Sequence, residues 1–199
     1  IQLGTQTFTD AYKKLPIGSQ MAILRGLMVV TGPTYLVHPF GASCIVLTDF
    51  IPHFQLQSEV STERYTRFLA IRGVGSCWTE LKNGISADNV YLREGIKNAI
   101  QNALELVFAN WEDPFDSILS EVRSLFGDVL ATSDHAFAAY GPDPLFGVPF
   151  KYGLVEKLLT QHGWKTKGKY PLLIMLSEQL GPDQLLKADP DLVTKLLHS

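Results

Sequence analysis

Cysteine is nearly absent from this sequence: Cys44 and Cys77 are its only two. At most one bridge can be made from them, so a disulfide framework is excluded as the source of stability. The simpler expectation is a reducing intracellular compartment, cytoplasmic or organellar, with both thiols acting as small apolar side chains. No Asn-x-Ser/Thr sequon occurs, which fits a chain that is not secreted. An excess of one charge is missing too. Lys and Arg number 17 against 20 Asp and Glu, a formal net charge of -3. A dedicated nucleic-acid binder normally carries a basic excess, so no nucleic-acid partner is expected from composition.

A phosphate loop of the G-x-x-x-x-G-K-S/T kind is also lacking. The nearest glycine-rich stretch, Arg72 to Ser76, is short and follows no strand. Apolar and polar residues never alternate for more than a few positions, so strands have little support; "CIVLTDFI" is the one piece with β-branched content. The longest run free of Asp, Glu, Lys and Arg extends from Gly26 to Thr48. Pro33 and Pro39 interrupt it and would leave backbone groups unpaired in lipid, so no transmembrane span is expected.

What is present is apolar and periodic. The 199 residues are 46% hydrophobic and 19% charged, the balance of an ordinary globular domain. The first residue is Ile1, so the chain is expected to be a processed product or part of something longer. From Ser86, an expected N-cap, the residues Leu92, Ile96, Ala99, Ile100, Ala103 and Val107 fall on one helical stripe. A second stripe runs through Phe115, Ile118, Leu119, Val122, Leu125, Phe126 and Val129, with Asp113 as cap and Pro114 in the first turn. Only "NWED" separates the two, which predicts an antiparallel helical hairpin centred on residues 86–130. Upstream, Pro16 stops one short helix and Ser19 starts another. A helix from Ser58 is expected to close at Gly73, and a further one to run from Ser76 to Gly84. Downstream, Pro171, Pro182 and Pro190 mark expected helix starts, while Gly163 and Gly181 mark ends.

Four constellations carry possible chemistry. In "HPFGASCIVLTDFIPHF", His38, Cys44, Asp49 and His53 are candidate ligand-binding residues. Pro52 breaks the register that would align Asp49 with His53, so a quiet buried segment is the expectation and no metal set is assigned. Asp134 stands beside His135, and adjacent residues on a helix do not face each other; Ser133 or Asp134 reads as the cap of a short helical turn. Lys165, Lys167 and Lys169 interleave with Trp164 and Tyr170, a pattern open to phosphates; three charges supply little affinity, so a solvated turn after a helix end is preferred. Last, "YGPDPLFGVPF" packs prolines, glycines and aromatics into one loop. Tyr140, Phe146, Phe150 and Tyr152 are its candidate interface residues, against the alternative that the rings seal the hairpin.

The expected fold is all-α: a single-chain multi-helix domain of about seven to nine helices around a central antiparallel hairpin. Residues 1–139 form the helical core, 140–152 the Pro/Gly/aromatic loop and 153–199 a short-helix subdomain packed on the core. No coherent catalytic set, cofactor motif or metal set emerges. The expected function is a non-enzymatic protein-interaction or assembly subunit of a larger complex, with protein partners or self-association. One alternative is a helical pocket protein for an apolar ligand or tetrapyrrole held by His38 or His53. Another is an enzyme using Cys44 or a histidine.

Overall fold

The computed structural model describes residues 10–16, 18–20, 22–23, 64–163, 165–188 and 190–197. Among these residues the fold is all-helical, with no strand. From Arg64 onward the order is α1 (Arg64–Gly84), a 3-10 turn (Val90–Leu92), α2 (Arg93–Asn110), α3 (Asp116–Tyr140), α4 (Gly147–Thr160), α5 (Lys169–Leu180), α6 (Pro182–Ala188) and α7 (Leu192–Leu197).

The two predicted stripes make the core. Leu92, Ile96, Ala99, Ile100, Ala103 and Val107 are all buried, while Asn98, Gln101 and Glu105 on the other face of α2 are exposed. Along α3, Ile118, Val122, Leu125, Phe126 and Val129 are buried. The hairpin of α2 and α3 is therefore real, and α3 is its axle: α1 and α2 pack along it, and α4 closes the side. From α1, Ile71, Val74, Trp78 and Leu81 reach the same core. Trp78 brings one polar atom with it, and its Nε1–H donates to Thr132 Oγ1 of α3 at 2.8 Å. That bond satisfies an indole donor that would otherwise cost free energy on burial.

Several boundaries differ from the sequence expectation. Residues 64–84 are one continuous helix and do not break between Gly73 and Ser76. Packing of the stripe that spans the break outweighs the roughly 1 kcal/mol each glycine costs in a helix. Ser86 does not open α2; its carbonyl accepts from Asn89 N–H at 3.0 Å in a turn, and Asn89 Nδ2 donates to Gly84 O at 2.8 Å. The helix proper starts at Arg93, after the 3-10 turn. No short helical turn starts at Ser133 or Asp134, because α3 runs unbroken to Tyr140. The loop expected over 140–152 ends sooner, since α4 already begins at Gly147. Pro171 lies inside the first turn of α5, where its missing N–H has no intrahelical partner to lose; Pro182 opens α6. Near the start of the chain, Pro16 separates two short helical turns. They are tied by Tyr12 O–H donating to Gln20 O at 3.1 Å and Gln20 Nε2 donating to Leu15 O at 2.8 Å.

Candidate interaction surfaces

His38, Cys44, Asp49 and His53 lie outside the described residues. Among the described residues, no group of three or more His, Cys, Asp or Glu side chains could hold a metal ion. His135 does not join Asp134: its Nδ1 lies 2.8 Å from Ala131 O of its own helix, while Asp134 Oδ2 accepts from Lys151 Nζ at 2.7 Å. No described helix is long and apolar enough to cross a membrane.

The four candidate interface residues separate into two kinds. Phe146 is 0% exposed and Phe150 3% exposed. Both rings sit in the core, which corrects their expected place at a surface; the turn ahead of α4 folds them back over α3. Tyr140 is half-buried, donates to Asn89 O at 3.1 Å, and stands 6.3 Å from the Phe146 ring. Burial pushes its phenol pKa up. Tyr152 is half-buried and donates to Gln184 Oε1 of α6, so it joins the C-terminal helices to α4.

What does face solvent around this turn is a different set: Val90, Tyr91, Phe137 and Val148. They come from three elements that reach the C-terminal end of α3, where Tyr140 O–H binds Asn89 O and Gly147 lies against Phe137. Gly147, with φ of 67°, brings its backbone against the Phe137 ring, where a built Cβ would lie 2.9 Å from Cγ. Only glycine accepts both that dihedral and that approach. Ser133 fixes the turn from inside α3: its Oγ donates to Leu145 O at 3.0 Å and accepts from Gly147 N–H at 2.8 Å. The start of α4 is thereby capped by a residue fourteen positions upstream. Asp143 completes the rim. Its Oδ1 accepts from Leu145 N–H at 3.1 Å, and its Oδ2 lies 3.2 Å from Lys97 and 3.4 Å from Arg93. Burial alone would raise the Asp143 pKa, but the Leu145 N–H and the two cations hold it below the ordinary carboxylate value. The same contact with Asp143 raises the Lys97 pKa. The end of α3 thus carries exposed apolar side chains from three elements and an ionic cluster of Asp143, Lys97 and Arg93.

A second feature lies at the opposite end of α3. A cleft of about 600 Å³ is lined by α1, the end of α2 and the Trp111–Phe115 link. Arg67 of α1 reaches across to Asp113 with a 2.6 Å contact, and both side chains are buried. Asp113 Oδ1 also accepts from Phe115 N–H at 3.0 Å, so the residue expected to cap α3 does bind the backbone ahead of it, while its other oxygen is taken by α1. The Arg64 guanidinium lies 3.9 Å from the centre of the Phe115 ring. Behind the link, Trp111 packs edge-on against Phe108 at 5.2 Å and His162 at 4.6 Å between ring centres. Gly168 seats its backbone on Trp111, where a Cβ would meet the Trp111 carbonyl oxygen at 2.7 Å. The lysine cluster next to it is not uniformly solvated: Lys165 and Lys167 are exposed, but Lys169 is buried and donates to His162 O at 2.8 Å. Burial lowers its pKa. The sequence carried no sign of the Arg67–Asp113 pair, whose members are 46 positions apart.

Comparison with known proteins adds a direction. No family model matches the chain, and no solved structure matches it. It is 30% identical over 150 residues to the mouse tRNA (32-2′-O)-methyltransferase regulator THADA, a match covering 73% of this chain and 7% of the mouse protein. The human regulator is 30% identical over 104 residues, covering 52% of this chain and 5% of that protein. That of Chlorocebus aethiops is 27% identical over 153 residues, covering 73% and 7%. The chain thus spans less than a tenth of the length of the curated relatives it matches, and those relatives are named as regulators of a methyltransferase.

Proposed function

We propose that this chain is a helical interaction unit that binds a tRNA (32-2′-O)-methyltransferase and contributes to its regulation. The observation that carries the reading is the 150-residue match to the mouse regulator. The fold is compatible with it, because α1, α2 and α4 pack along α3 into an all-helical unit with apolar side chains left exposed. The surface offered for docking is the corner at the end of α3. Val90 and Val148 are 63% and 44% exposed there, beside Tyr91 and Phe137. Aromatic and branched groups at the centre of a patch with an ionic edge match the usual arrangement of an interface core and rim.

The experiment is co-purification of the tagged chain with the methyltransferase, comparing the wild type with Val90→Asp/Val148→Asp. Both positions face solvent, so the variant should keep its melting temperature. Two carboxylates placed in a desolvated interface should remove the methyltransferase from the purified complex. Undiminished recovery with the variant places the contact elsewhere, and no recovery with the wild type removes the reading.

A further inference from the structure

The cleft at the start of α3 is lined by two arginines and two acids, and they are not evenly matched. Asp113 uses both oxygens: Oδ1 accepts from Phe115 N–H at 3.0 Å, and Oδ2 lies 2.6 Å from Arg67. Glu112 Oε1 accepts from Gly168 N–H at 3.2 Å. Arg64 differs from these. It is exposed, its guanidinium lies 3.9 Å from the centre of the Phe115 ring, and among the described residues it meets no carboxylate. A guanidinium carries five N–H donors, and contact with a ring face uses none of them. The rest of the wall is apolar, made by Phe108, Ala109, Trp111, Pro114 and Phe115. Ala109 and Pro114 are exposed, as are Arg64 and Glu112, so the cleft is open to solvent along much of its wall.

We propose that this cleft docks a short segment of a partner protein in which a carboxylate side chain stands next to a large apolar one. The carboxylate takes the donors of Arg64, whose planar fork fits it, and the apolar side chain covers the wall between the end of α2 and the link. Phe115 already holds the guanidinium in place, so less side-chain freedom is lost when the partner arrives. The charges select the occupant. One unmatched cation calls for one anionic group, while a cationic segment would be repelled by it. A polyanion would gain little from a single arginine and would meet Glu112 and Asp116, the latter exposed at the first position of α3. A small-molecule site buries most of its ligand, whereas this wall is open and suits side chains presented by another protein. The proposal goes beyond the methyltransferase-binding corner and occupies a separate place, because the start and end of α3 are roughly 36 Å apart along its axis.

The test is a 1H–15N NMR titration of the full chain with three acetylated and amidated Gly/Ser peptides whose centres are Glu-Phe-Glu, Gln-Phe-Gln and Glu-Ala-Glu, each up to about 3 mM. The wild type should bind Glu-Phe-Glu, with shifts of the Arg64 Nε–H and Trp111 Nε1–H signals. The other two peptides should each bind about tenfold more weakly. Arg64→Gln should bind the acidic and the neutral peptide alike, at the weaker level, because the peptide carboxylate and Arg64 act as one pair. Ala109→Glu sets a competing acid in the exposed wall and should weaken Glu-Phe-Glu more than Gln-Phe-Gln. Unchanged melting temperatures check the fold; should Arg64→Gln melt early, Ala109→Glu decides. No binding of Glu-Phe-Glu by the wild type overturns the proposal, and so does equal binding of all three peptides. An acidic preference that survives in Arg64→Gln places the contact elsewhere and overturns it too. Because Val90→Asp/Val148→Asp leaves this end of α3 intact, it should bind the peptide as the wild type does, so loss of methyltransferase binding and loss of peptide binding are read separately.

Discussion

Replacing Phe146 by alanine puts the description of the α3–α4 turn at risk. The ring is 0% exposed, sits 6.3 Å from the Tyr140 ring, and belongs to the same cluster as Val129, Leu130 and Val155. Returning a fully buried phenylalanine to water forfeits about 1.5–3 kcal/mol of transfer free energy. The cavity left in a helix-packed core adds to this, giving a loss of about 3–5 kcal/mol. For a chain of this size each kcal/mol moves the midpoint by about 2–4 °C, so the expected drop in Tm is roughly 6–20 °C. Thermal unfolding followed by far-UV circular dichroism measures it, with Val148→Ala as the matched control. Val148 is 44% exposed, and its truncation should stay within about 0.5 kcal/mol. If Phe146→Ala costs less than about 1 kcal/mol, the ring is not a core element and the burial argument for this turn fails.

Two further outcomes follow from the ion pairs. Arg67→Ala leaves the buried Asp113 carboxylate without its cation and should cost about 3–5 kcal/mol in denaturant unfolding, whereas Arg67→Met/Asp113→Leu should recover most of the loss. Asp143 has a folded pKa below its ordinary 3.8, so its contribution to stability is fully present above that value and is lost as pH falls through the lower folded value. Stability curves of wild type and Asp143→Asn should therefore differ near neutral pH and converge in acid; a gap that stays constant down to low pH would show that the Lys97 and Arg93 contacts do not act through the Asp143 charge.

How much of this was legible in the sequence depends on the range of the interactions. The stripes of α2 and α3 are local, carried by apolar residues three and four apart, and they emerged as the buried faces of a hairpin. The short link fixed the antiparallel arrangement. Glycine misled at residues 73–75, because a local stop signal costs about 1 kcal/mol and the packing of Ile71, Val74 and Trp78 exceeds it. Ser133 read as a cap, and it is one, but for a helix that starts fourteen residues later. Asp113 read as the cap of α3 while its buried partner, Arg67, is supplied by α1. The aromatics of residues 140–152 drew notice correctly as a group, yet their composition could not say which rings turn inward. Phe146 and Phe150 do so because the turn is short and α4 starts at Gly147. The exposed residues Val90, Tyr91, Phe137 and Val148 belong to three separate elements, and no single stretch of sequence shows which apolar side chains stay outside the core. The same holds for the cleft, which joins Arg64 to Phe115 across about fifty positions.

The most direct test of the central claim is isothermal titration of the purified chain with a purified tRNA (32-2′-O)-methyltransferase, run for the wild type and for Val90→Asp/Val148→Asp. The account predicts saturable binding by the wild type with a negative heat-capacity change, as expected when the apolar corner leaves water. It also predicts an affinity at least about tenfold weaker for the variant at an unchanged melting temperature. Absence of heat and of binding with the wild type, or equal affinity for both proteins, would contradict it.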